Sequence, residues 1–413
     1  MVARMQNLLI DSIGAKGDGV AAGPIYAPLT LPGERVRAER QGDRAAAVAV
    51  LEPSPDRVTP PCPHFGDCGG CALQHWAAPP YLAWKAEQIR QALARERIET
   101  EILPAFAAPA HARRRLALHA RAVGKGVSLG FKARRSWRLV EIGVCPIAHP
   151  ALEAALPALA ALAKPFLEHP KSAPTLHVTR TETGLDVDVT GVERRSGGLS
   201  ADARVQAAER AAADDFARVT LAGEIVYQAR QPLVRLGRVI VALPPGGFLQ
   251  AVPEAEAAMG DFAVQALDGA SRVADLFCGV GTFSFRLAEV ASVRAADVSA
   301  ASIKALVAAS GTANGLKSIT GEARDLTRRP MLAAEMKRLD AVLFDPPRAG
   351  AAEQAREIAA SKTPIAIGVS CDPATFARDA RILTNGGFSL ARVLPVDQFL
   401  WSPHVELVGV FTR

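Results

Sequence analysis

Apolar runs alternate with amphipathic stretches in the C-terminal part of the chain, from about residue 253 onward. Short apolar runs rich in Val and Ile are typical of buried strands, and the stretches between them carry apolar residues at helical spacing. This βαβ order predicts an α/β fold built on a parallel sheet. The predicted elements are residues 253–267, 272–277, 283–291, 294–297, 302–314, 341–344, 351–360, 365–370 and 373–384.

The N-terminal pattern is different. Residues 1–56 hold short β-prone pieces between glycine and proline turns, which predicts a small β-barrel, and a proline-rich linker follows. Residues 80–96 predict a helix, which we expect to pack on the C-terminal domain. Residues 104–247 predict an antiparallel α+β domain with a hairpin near 176–189. The predicted domains are 1–56, 57–250 and 251–413.

Length and charge add further expectations. A chain of 413 residues suits two or three domains. It has no apolar run of membrane-spanning length and no signal-peptide pattern, so we expect a cytoplasmic protein. We also expect a monomer. The net charge is +6, and residues 111–140 hold nine Lys or Arg and no Asp or Glu. This run is either a solvated face or, as we favour with the motifs below, a phosphate-contacting surface.

Residues 273–283 predict a strand, a glycine turn and a helix start. Gly279 and Gly281 would let the backbone pass close to a ligand, although an ordinary βα turn is the alternative. A dinucleotide fingerprint needs a third glycine, whereas position 284 is serine. We therefore expect a nucleoside cofactor, S-adenosylmethionine. The acids that end the following strands, and so converge on the same cleft, are Asp297, Asp325 and Asp345.

Cys371 follows the apolar run 365–369 and should lie at the same sheet edge. The plain alternative is a small buried cysteine at a strand end. Asp345-Pro-Pro is followed by Arg348, not by the aromatic residue that amino-group methyltransferases use to stack on their target base. A thiolate that adds to C6 of uracil makes C5 nucleophilic toward a sulfonium methyl group. A base must then remove the C5 proton, and Glu406 at the start of the last strand is the candidate.

The chain has six cysteines, which in a cytosolic protein indicate metal binding or catalysis rather than disulfides. Three of them have C-x5-C-x2-C spacing within residues 62–75, Cys-Pro-His-Phe-Gly-Asp-Cys-Gly-Gly-Cys-Ala-Leu-Gln-His. With the motifs above, this segment resembles the bacterial RNA uracil-5-methyltransferases, most closely the iron–sulfur branch that acts on large-subunit ribosomal RNA. The resemblance covers nearly the whole chain.

The resemblance implies a [4Fe–4S] cluster held by Cys62, Cys68, Cys71 and Cys145. Four cysteines with interleaved glycines suit such a cluster, and zinc is the alternative. Radical chemistry is disfavoured, because it usually uses C-x3-C-x2-C and leaves one iron open, whereas this chain supplies a fourth thiol.

The resemblance also implies a Rossmann-like S-adenosylmethionine methyltransferase domain and a TRAM-like RNA-binding barrel. The basic run 113–138 matches a segment that helps bind RNA. The family's nucleophile falls on Cys371 and its base on Glu406, and Asp345 joins the catalytic set. Asp345 and Gln250 are also expected to reach the uracil. The implied cofactor contacts are Gln250, Phe277, Thr282, Asp297, Asp325 and Asp345, in addition to Gly279 and Gly281 of the glycine turn.

Two positions depart from the family pattern. Val252 stands where the family usually has Asn, which leaves that substrate contact open, and Thr282 stands where a related branch has Asn. One alternative is uracil-5 methylation of transfer RNA. Cytosine-5 methylation is another, but it usually needs two active-site cysteines, and only Cys371 is available here. The third is a non-catalytic iron–sulfur RNA-binding factor, against which Cys371 and Glu406 argue.

Overall fold

The computed structural model describes residues 4–193 and 198–413, so residues 1–3 of the predicted barrel lie outside it. The strands are β1 (Arg4–Ile13), β2 (Gly19–Ala21), β3 (Ile25–Ala27), β4 (Arg35–Gln41), β5 (Arg44–Glu52), β6 (Glu101–Ile102), β7 (Phe106–Ala107), β8 (Arg115–Val123), β9 (Gly126–Lys132), β10 (Leu139–Glu141), β11 (Thr175–Thr181), β12 (Gly184–Thr190), β13 (Arg218–Leu221), β14 (Glu224–Gln228), β15 (Leu233–Leu236), β16 (Val239–Ala242), β17 (Arg272–Leu276), β18 (Ser292–Asp297), β19 (Ile319–Ala323), β20 (Ala341–Phe344), β21 (Ile365–Ser370), β22 (Ser389–Asp397) and β23 (Glu406–Thr412). The helices are α1 (Ala78–Arg95), α2 (Pro150–Ala154), α3 (Leu156–Ala163), α4 (Ala201–Ala213), α5 (Pro253–Gln265), α6 (Ser284–Leu287), α7 (Ala300–Thr312), α8 (Ala352–Ala360) and α9 (Pro373–Asn385), and Pro165–Leu167 forms a 3-10 turn.

The N-terminal strands close into a barrel in the order β1-β2-β3-β5-β4. Strand β1 pairs antiparallel with both β2 and β4, and the parallel pairing of β3 with β5 completes the closure. Ile10, Ile25 and Val36 fill the interior. A closed barrel has no free edge and so stabilises a unit with a small core. The predicted β-barrel is confirmed.

The central sheet has the order β10-β9-β8-β11-β12-β13-β14. The hairpin of β11 and β12 has Leu176 opposite Val189, as the sequence predicts. Helices α2, α3 and α4 cover one face and contribute Leu152, Leu159 and Ala207 to the core. The prediction of a wholly antiparallel sheet is wrong at one place, because β13 runs parallel to β12 after the α4 crossover.

The C-terminal sheet has the order β19-β18-β17-β20-β21-β23-β22-β6, and β7 also pairs with β22. Strands β17 to β21 are parallel, whereas β23 runs antiparallel between β21 and β22. The strand order reverses between β17 and β20, and open α/β sheets bind their ligands at such a switch point. Apolar clusters on both faces bury the sheet between helices.

Helix α1 belongs physically to this C-terminal unit. It packs against α9 and β22, with Ile89 and Leu93 in the core on that face. Strands β6 and β7, which follow α1, extend the same sheet beside β22. The expected packing of the predicted helix on the C-terminal domain is therefore observed. Among the described residues, no helix combines the length and the apolar character that crossing a membrane requires.

Candidate active site and a cysteine-lined cavity

Three neighbouring strands bring the predicted catalytic residues to one edge of the sheet. Asp345 follows β20, Cys371 follows β21, and Glu406 opens β23. Because β21 and β23 are antiparallel, the end of one lies beside the start of the other, and Ser370 is opposite Leu407. Glu406 is buried, whereas Asp345 and Cys371 are half-buried.

Two glutamines connect the two carboxyl groups. The amide of Gln250 donates to Asp345 (Nε2–Oδ2 3.1 Å). The amide of Gln398 donates to Gln250 (Nε2–Oε1 2.8 Å) and to Glu406 (Nε2–Oε2 2.7 Å). Gln398 is itself oriented by the backbone N–H of Ala251, 3.1 Å from its Oε1. The result is a continuous hydrogen-bonded chain from Asp345 to Glu406. Gln250 was predicted, but Gln398 carries no motif and was missed.

Burial changes the protonation of both acids. Desolvation raises the pKa of Glu406 to about 7, although Gln398 and Arg348 oppose the rise. Desolvation, with the nearby charges of Glu406 and Asp275, holds the pKa of Asp345 well above its usual range. A carboxyl group with a pKa near neutrality suits proton transfer at the pH of the cell. Glu406 therefore has the electrostatics of a general base.

The Cys371 thiol lies beside a cation. Burial raises its pKa, and the charge of Glu406 adds to the rise, whereas the Arg348 guanidinium lowers it. Arg348 also contacts the His404 ring, 3.1 Å from Nδ1. Arg348 thus favours the thiolate form. In the sequence, Arg348 was evidence only against amino-group methylation. Its contact with Cys371 was not predicted.

The predicted cofactor turn follows β17. Phe277 has φ +63°, a conformation that non-glycine residues rarely adopt, and Gly279 has φ +56°. A Cβ added at Gly279 would meet no atom within 4 Å, so open space faces this backbone. Asp297 accepts hydrogen bonds from the backbone N–H groups of Gly279 (3.0 Å) and Ser299 (2.8 Å). This arrangement fits a nucleoside cofactor, with the free lone pairs of Asp297 left for ribose hydroxyls.

Position 284, where a dinucleotide site would have glycine, has a structural role. The Ser284 hydroxyl donates to the buried carboxyl of Asp275 (2.5 Å). Burial raises the pKa of Asp275 to about 7. This pair ties the start of α6 to the end of β17, beneath the cofactor turn, and neither residue was predicted.

Two predicted cofactor residues, Asp325 and Thr282, make their contacts away from the hydrogen-bonded chain that joins Asp345 to Glu406. Asp325 lies two residues beyond β19, and its carboxylate accepts from the N–H (3.0 Å) and hydroxyl (2.6 Å) of Thr327. Thr282 is buried at the wall of a separate cavity of about 840 Å³, together with Arg114 and Glu256. The structure gives neither side chain a contact with the chain from Asp345 to Glu406.

Residues 398–405 form the loop that joins β22 to β23, the strand that begins with Glu406. Residues outside the sheet bind this loop in place. Lys85 on α1 forms a buried ion pair with Asp397 and also donates to the backbone carbonyls of Phe399 (3.3 Å) and His404. The carbonyl of Trp401 accepts from the N–H groups of Ala72 (2.8 Å) and Leu73 (3.0 Å). Helix α1 and the segment after Cys71 therefore fix the loop that positions the candidate base.

The other predicted cysteines surround a second site. Cys62, Cys68, Cys71 and Cys145 line one cavity of about 250 Å³, together with His64 and Arg113. Within the described part of the chain, no group of three or more His, Cys, Asp or Glu side chains has the arrangement to hold a metal ion. All four cysteines line the same cavity.

Backbone N–H groups lie close to these sulfurs. The N–H of Gly70 donates to Cys68 Sγ (3.4 Å), and the N–H groups of Ile147 and Ala148 interact with the Cys145 thiol. Burial raises the pKa of Cys71 to about 12. Such thiols become thiolates only when a cation compensates their charge, and bound metal does this directly.

The prediction for the basic run needs correction at its N-terminal end. Arg113 lines the cysteine cavity, Arg114 is buried against Glu256, and Arg115 donates to the backbone carbonyl of Leu249 (2.8 Å). These three arginines join protein segments and are not a free phosphate-contacting surface. Tertiary packing, which the local charge pattern does not reveal, accounts for the difference.

A family model described as tRNA (Uracil-5-)-methyltransferase matches residues 234–413. An uncharacterised RNA methyltransferase of Caulobacter vibrioides is 66% identical, covering 99% of this chain and 100% of the relative. A 23S rRNA (uracil(1939)-C(5))-methyltransferase of Halomonas elongata is 34% identical, covering 97% of this chain and 88% of the relative.

Among solved structures, a tRNA (uracil-54, C5)-methyltransferase of Pyrococcus abyssi in complex with S-adenosyl-L-homocysteine has the same fold. The TM-score is 0.73 at 22% identity, with 98% of this chain and 100% of the other covered. This likeness shows the fold, and the sequence identity to the full-length relatives shows the family. The chain therefore belongs to the RNA (uracil-5-)-methyltransferase family and is an S-adenosylmethionine-dependent enzyme.

Proposed function

We propose that this enzyme methylates C5 of a uracil in RNA through a covalent bond between Cys371 and C6 of the base. The observation that carries the proposal is the convergence of Cys371, Asp345 and Glu406 at one sheet edge, beside the cofactor turn. A pyrimidine placed there would meet a nucleophile and a base in one pocket. Either group alone would not perform the reaction.

The steps balance without a further reagent. The Cys371 thiolate adds to C6, and the electron pair of the 5,6 double bond moves to C5, which becomes nucleophilic. S-adenosylmethionine would supply the electrophilic methyl group that C5 receives, and the electron pair of the broken sulfur–methyl bond would stay on its sulfur. The carboxylate of Glu406 then removes the C5 proton, and the electrons of the C–H bond restore the double bond. The thiolate leaves C6 in the same step, so Cys371 is regenerated.

The electrostatics support this division of roles. Arg348 favours the thiolate of Cys371, which both neighbouring carboxylates oppose. A protonated Asp345 removes one of these opposing charges and has a proton to donate to a carbonyl oxygen of the base. We propose that Asp345 and Gln250, already hydrogen-bonded to each other, hold the edge of the uracil. The target must leave its base stack to reach them.

For the cofactor, we propose binding by the residues of the turn after β17 and the strand ends beside it. The open space at Gly279 and the backbone-bonded carboxylate of Asp297 support this placement. The remaining proposed contacts are Gln250, Phe277, Gly281, Thr282, Asp325 and Asp345.

The proposed substrate is large-subunit ribosomal RNA, on the strength of the Halomonas elongata relative. The fold neighbour from Pyrococcus abyssi acts on transfer RNA, so transfer RNA is the alternative. The N-terminal barrel is proposed as a TRAM-like RNA-binding domain. The proposed domain limits along the chain are 1–56, 57–250 and 251–413, with residues 78–107 of the middle segment packed on the C-terminal unit.

The test uses unmodified ribosomal RNA and transfer RNA with S-adenosylmethionine labelled in its methyl group. Digestion to nucleosides and mass spectrometry should find 5-methyluridine in ribosomal RNA and none with Cys371→Ala. Labelled 5-methylcytidine would overturn the uracil assignment, and label confined to transfer RNA would overturn the ribosomal one.

We further propose that Cys62, Cys68, Cys71 and Cys145 hold a [4Fe–4S] cluster. A cavity shared by four thiols, with backbone N–H groups directed at the sulfurs, supports a group larger than one ion. Around a single zinc ion the sulfurs would lie about 3.8 Å apart, converging on one point. Anaerobic purification followed by iron, acid-labile sulfide and zinc analysis tests this. Stoichiometric zinc without sulfide would overturn it.

A further inference from the structure

Trp137 is the most exposed large hydrophobic side chain in the described part of the molecule, at 79%. It stands in the turn between β9 and β10, at an edge of the central sheet. A tryptophan side chain is rarely buried completely but is highly buried on average. An indole left in water at a sheet edge contributes nothing to the core and calls for another explanation.

The turn that carries Trp137 is held in place. The N–H of Ala133 donates to the carbonyl of Arg138 (2.7 Å), and the N–H of Ser136 donates to the carbonyl of Ala133 (3.1 Å). The N–H of Arg134 reaches the carbonyl of Asp67 (3.4 Å) on the cysteine-bearing segment. The indole is therefore presented by a fixed backbone, which lowers the entropic cost of binding a ligand to it.

A cation already accompanies the ring. Lys132 Nζ lies 3.9 Å from the centroid of the Trp137 ring. Among the described residues, no aromatic ring stacks on this indole. An aromatic face flanked by an ammonium group is the pairing that binds a nucleotide, with the base on the ring and the phosphate near the cation.

The surrounding charge is strongly positive. Arg44, Arg134 and Arg135 share the single carboxylate of Asp18. Arg138 pairs with Asp67, and the guanidinium of Arg121 reaches the carbonyl of Trp137 (3.4 Å). Four of these cations therefore share two carboxylates, and the excess of positive charge attracts a polyanion. With Lys132 and Arg121, the cationic side chains of this face are Arg44, Arg121, Lys132, Arg134, Arg135 and Arg138.

We propose that Trp137 and these cations form a binding site for an unpaired nucleotide of the substrate RNA. The base stacks on the indole, and the flanking phosphates contact Lys132 and Arg121. In a duplex the base faces are already covered, so the site selects an unpaired nucleotide. The ring reads no base edge, so any of the four bases fits. This proposal rests on the proposed function.

The site is joined to the active site through the barrel. Arg134, in the same turn as Trp137, donates to the carbonyl of Lys16 (3.3 Å). A Cβ added at the next residue, Gly17, would lie 3.6 Å from Pro403 in loop 398–405. That loop leads directly into the candidate base. These contacts connect the turn that carries Trp137 to the loop before the candidate base, and the proposal places another segment of the same RNA on that turn.

The test measures binding of a short labelled oligouridylate to the full-length protein by fluorescence anisotropy. Trp137→Ala should weaken binding about fivefold or more, as expected for the loss of one stacked base, and Trp137→Phe should retain most of the affinity. The salt dependence should stay unchanged in Trp137→Ala, because the phosphate contacts remain. Lys132→Ala should instead lower the salt slope by about 1.

Ile225→Ala is the matched control, because Ile225 is 55% exposed on β14, the opposite edge of the same sheet. It should bind like the wild type. An abasic oligomer of equal length should bind the wild type and Trp137→Ala equally. Wild-type affinity of Trp137→Ala for oligouridylate would overturn the stacking site and favour a protein partner for this face. The stacking site would also be overturned if Trp137→Ala lost as much affinity for the abasic oligomer as for oligouridylate.

Methylation of RNA by the wild type, measured beside oligouridylate binding by Trp137→Ala, separates the two proposals. If the wild type methylates RNA and Trp137→Ala binds normally, the stacking site fails and the proposed function stands. If the wild type methylates no RNA but Trp137→Ala loses affinity for the oligomer, the proposed function fails and the stacking site stands.

Discussion

Cysteine lies in two regions of the molecule with different surroundings. Cys371 is a single half-buried thiol just after β21, where burial raises its pKa and Arg348 opposes the rise. Cys71 is one of four thiols around a cavity, and burial raises its pKa to about 12. A lone thiol beside an exposed cation suits attack on a substrate, whereas thiols that share an enclosed space suit holding a group permanently. The neighbours, not the residue type, separate the two proposed uses.

The largest effect should come from removing the lone thiol. Cys371→Ala should reduce methyl transfer to background, because the other described thiol at this sheet edge, Cys278 after β17, is only 3% exposed. Calorimetry should show unchanged affinity for S-adenosylmethionine, since the cofactor turn is intact. Residual formation of 5-methyluridine would show that the two cysteine regions do not differ as described.

Replacing the base should be the next largest effect. Glu406→Gln should slow turnover about 10²–10⁴-fold and let a covalent RNA–protein adduct accumulate, because the C5 proton is no longer removed. The wild-type rate should fall as the pH drops through about 7, since a protonated Glu406 accepts no proton. Denaturing gels and pH–rate profiles measure both effects. Glu353→Gln, an exposed glutamate on α8, is the control and should behave like the wild type.

The cation beside Cys371 should matter less than either reacting group. Arg348→Ala should raise the thiol pKa and lower the rate at neutral pH about ten- to a hundredfold, with partial recovery at higher pH. Arg348→Lys should restore part of the loss. The pH dependence of Cys371 alkylation by iodoacetamide gives the pKa directly. An unchanged alkylation profile would remove Arg348 from the account.

The smallest effect on the chemistry should come from the cavity. Cys68→Ser should lower the iron content and the unfolding temperature, because a ligand of the proposed cluster is lost. The folded fraction should still form the adduct with RNA, at a rate within about tenfold of the wild type, as the sites are distinct. If folded Cys68→Ser formed no adduct at all, the cysteine cavity and the active site would not function independently.

Much of this architecture follows from the chain pattern. Parallel strands end at one edge of a sheet, so the positions of Asp345 and Cys371 after apolar runs are enough to predict that they lie close together. The barrel and the main hairpin of the central sheet were predicted from turn residues and alternation. These features depend on local periodicity, which a sequence displays directly.

The remaining features depend on contacts between distant segments. Gln398 meets Gln250 across 148 positions, and Lys85 meets Asp397 across 312. The direction of each arginine in the basic run is likewise set by its tertiary neighbours. Arg113 lies at the cysteine cavity and Arg135 at the barrel, although both belong to one charged stretch. The density of positive charge in the basic run predicted a phosphate-contacting surface. Tertiary packing determines which of its side chains are exposed on that surface.

The covalent bond between Cys371 and the base is the central claim, and 5-fluorouracil-substituted RNA tests it most directly. Fluorine at C5 is not removed as a proton, so the methylated adduct should be trapped at the step that Glu406 performs. Peptide mass spectrometry should find a methylated fluoropyrimidine attached to Cys371, in an amount dependent on S-adenosylmethionine. The absence of an adduct from an enzyme that methylates normal RNA, or its attachment to another cysteine, would contradict the account.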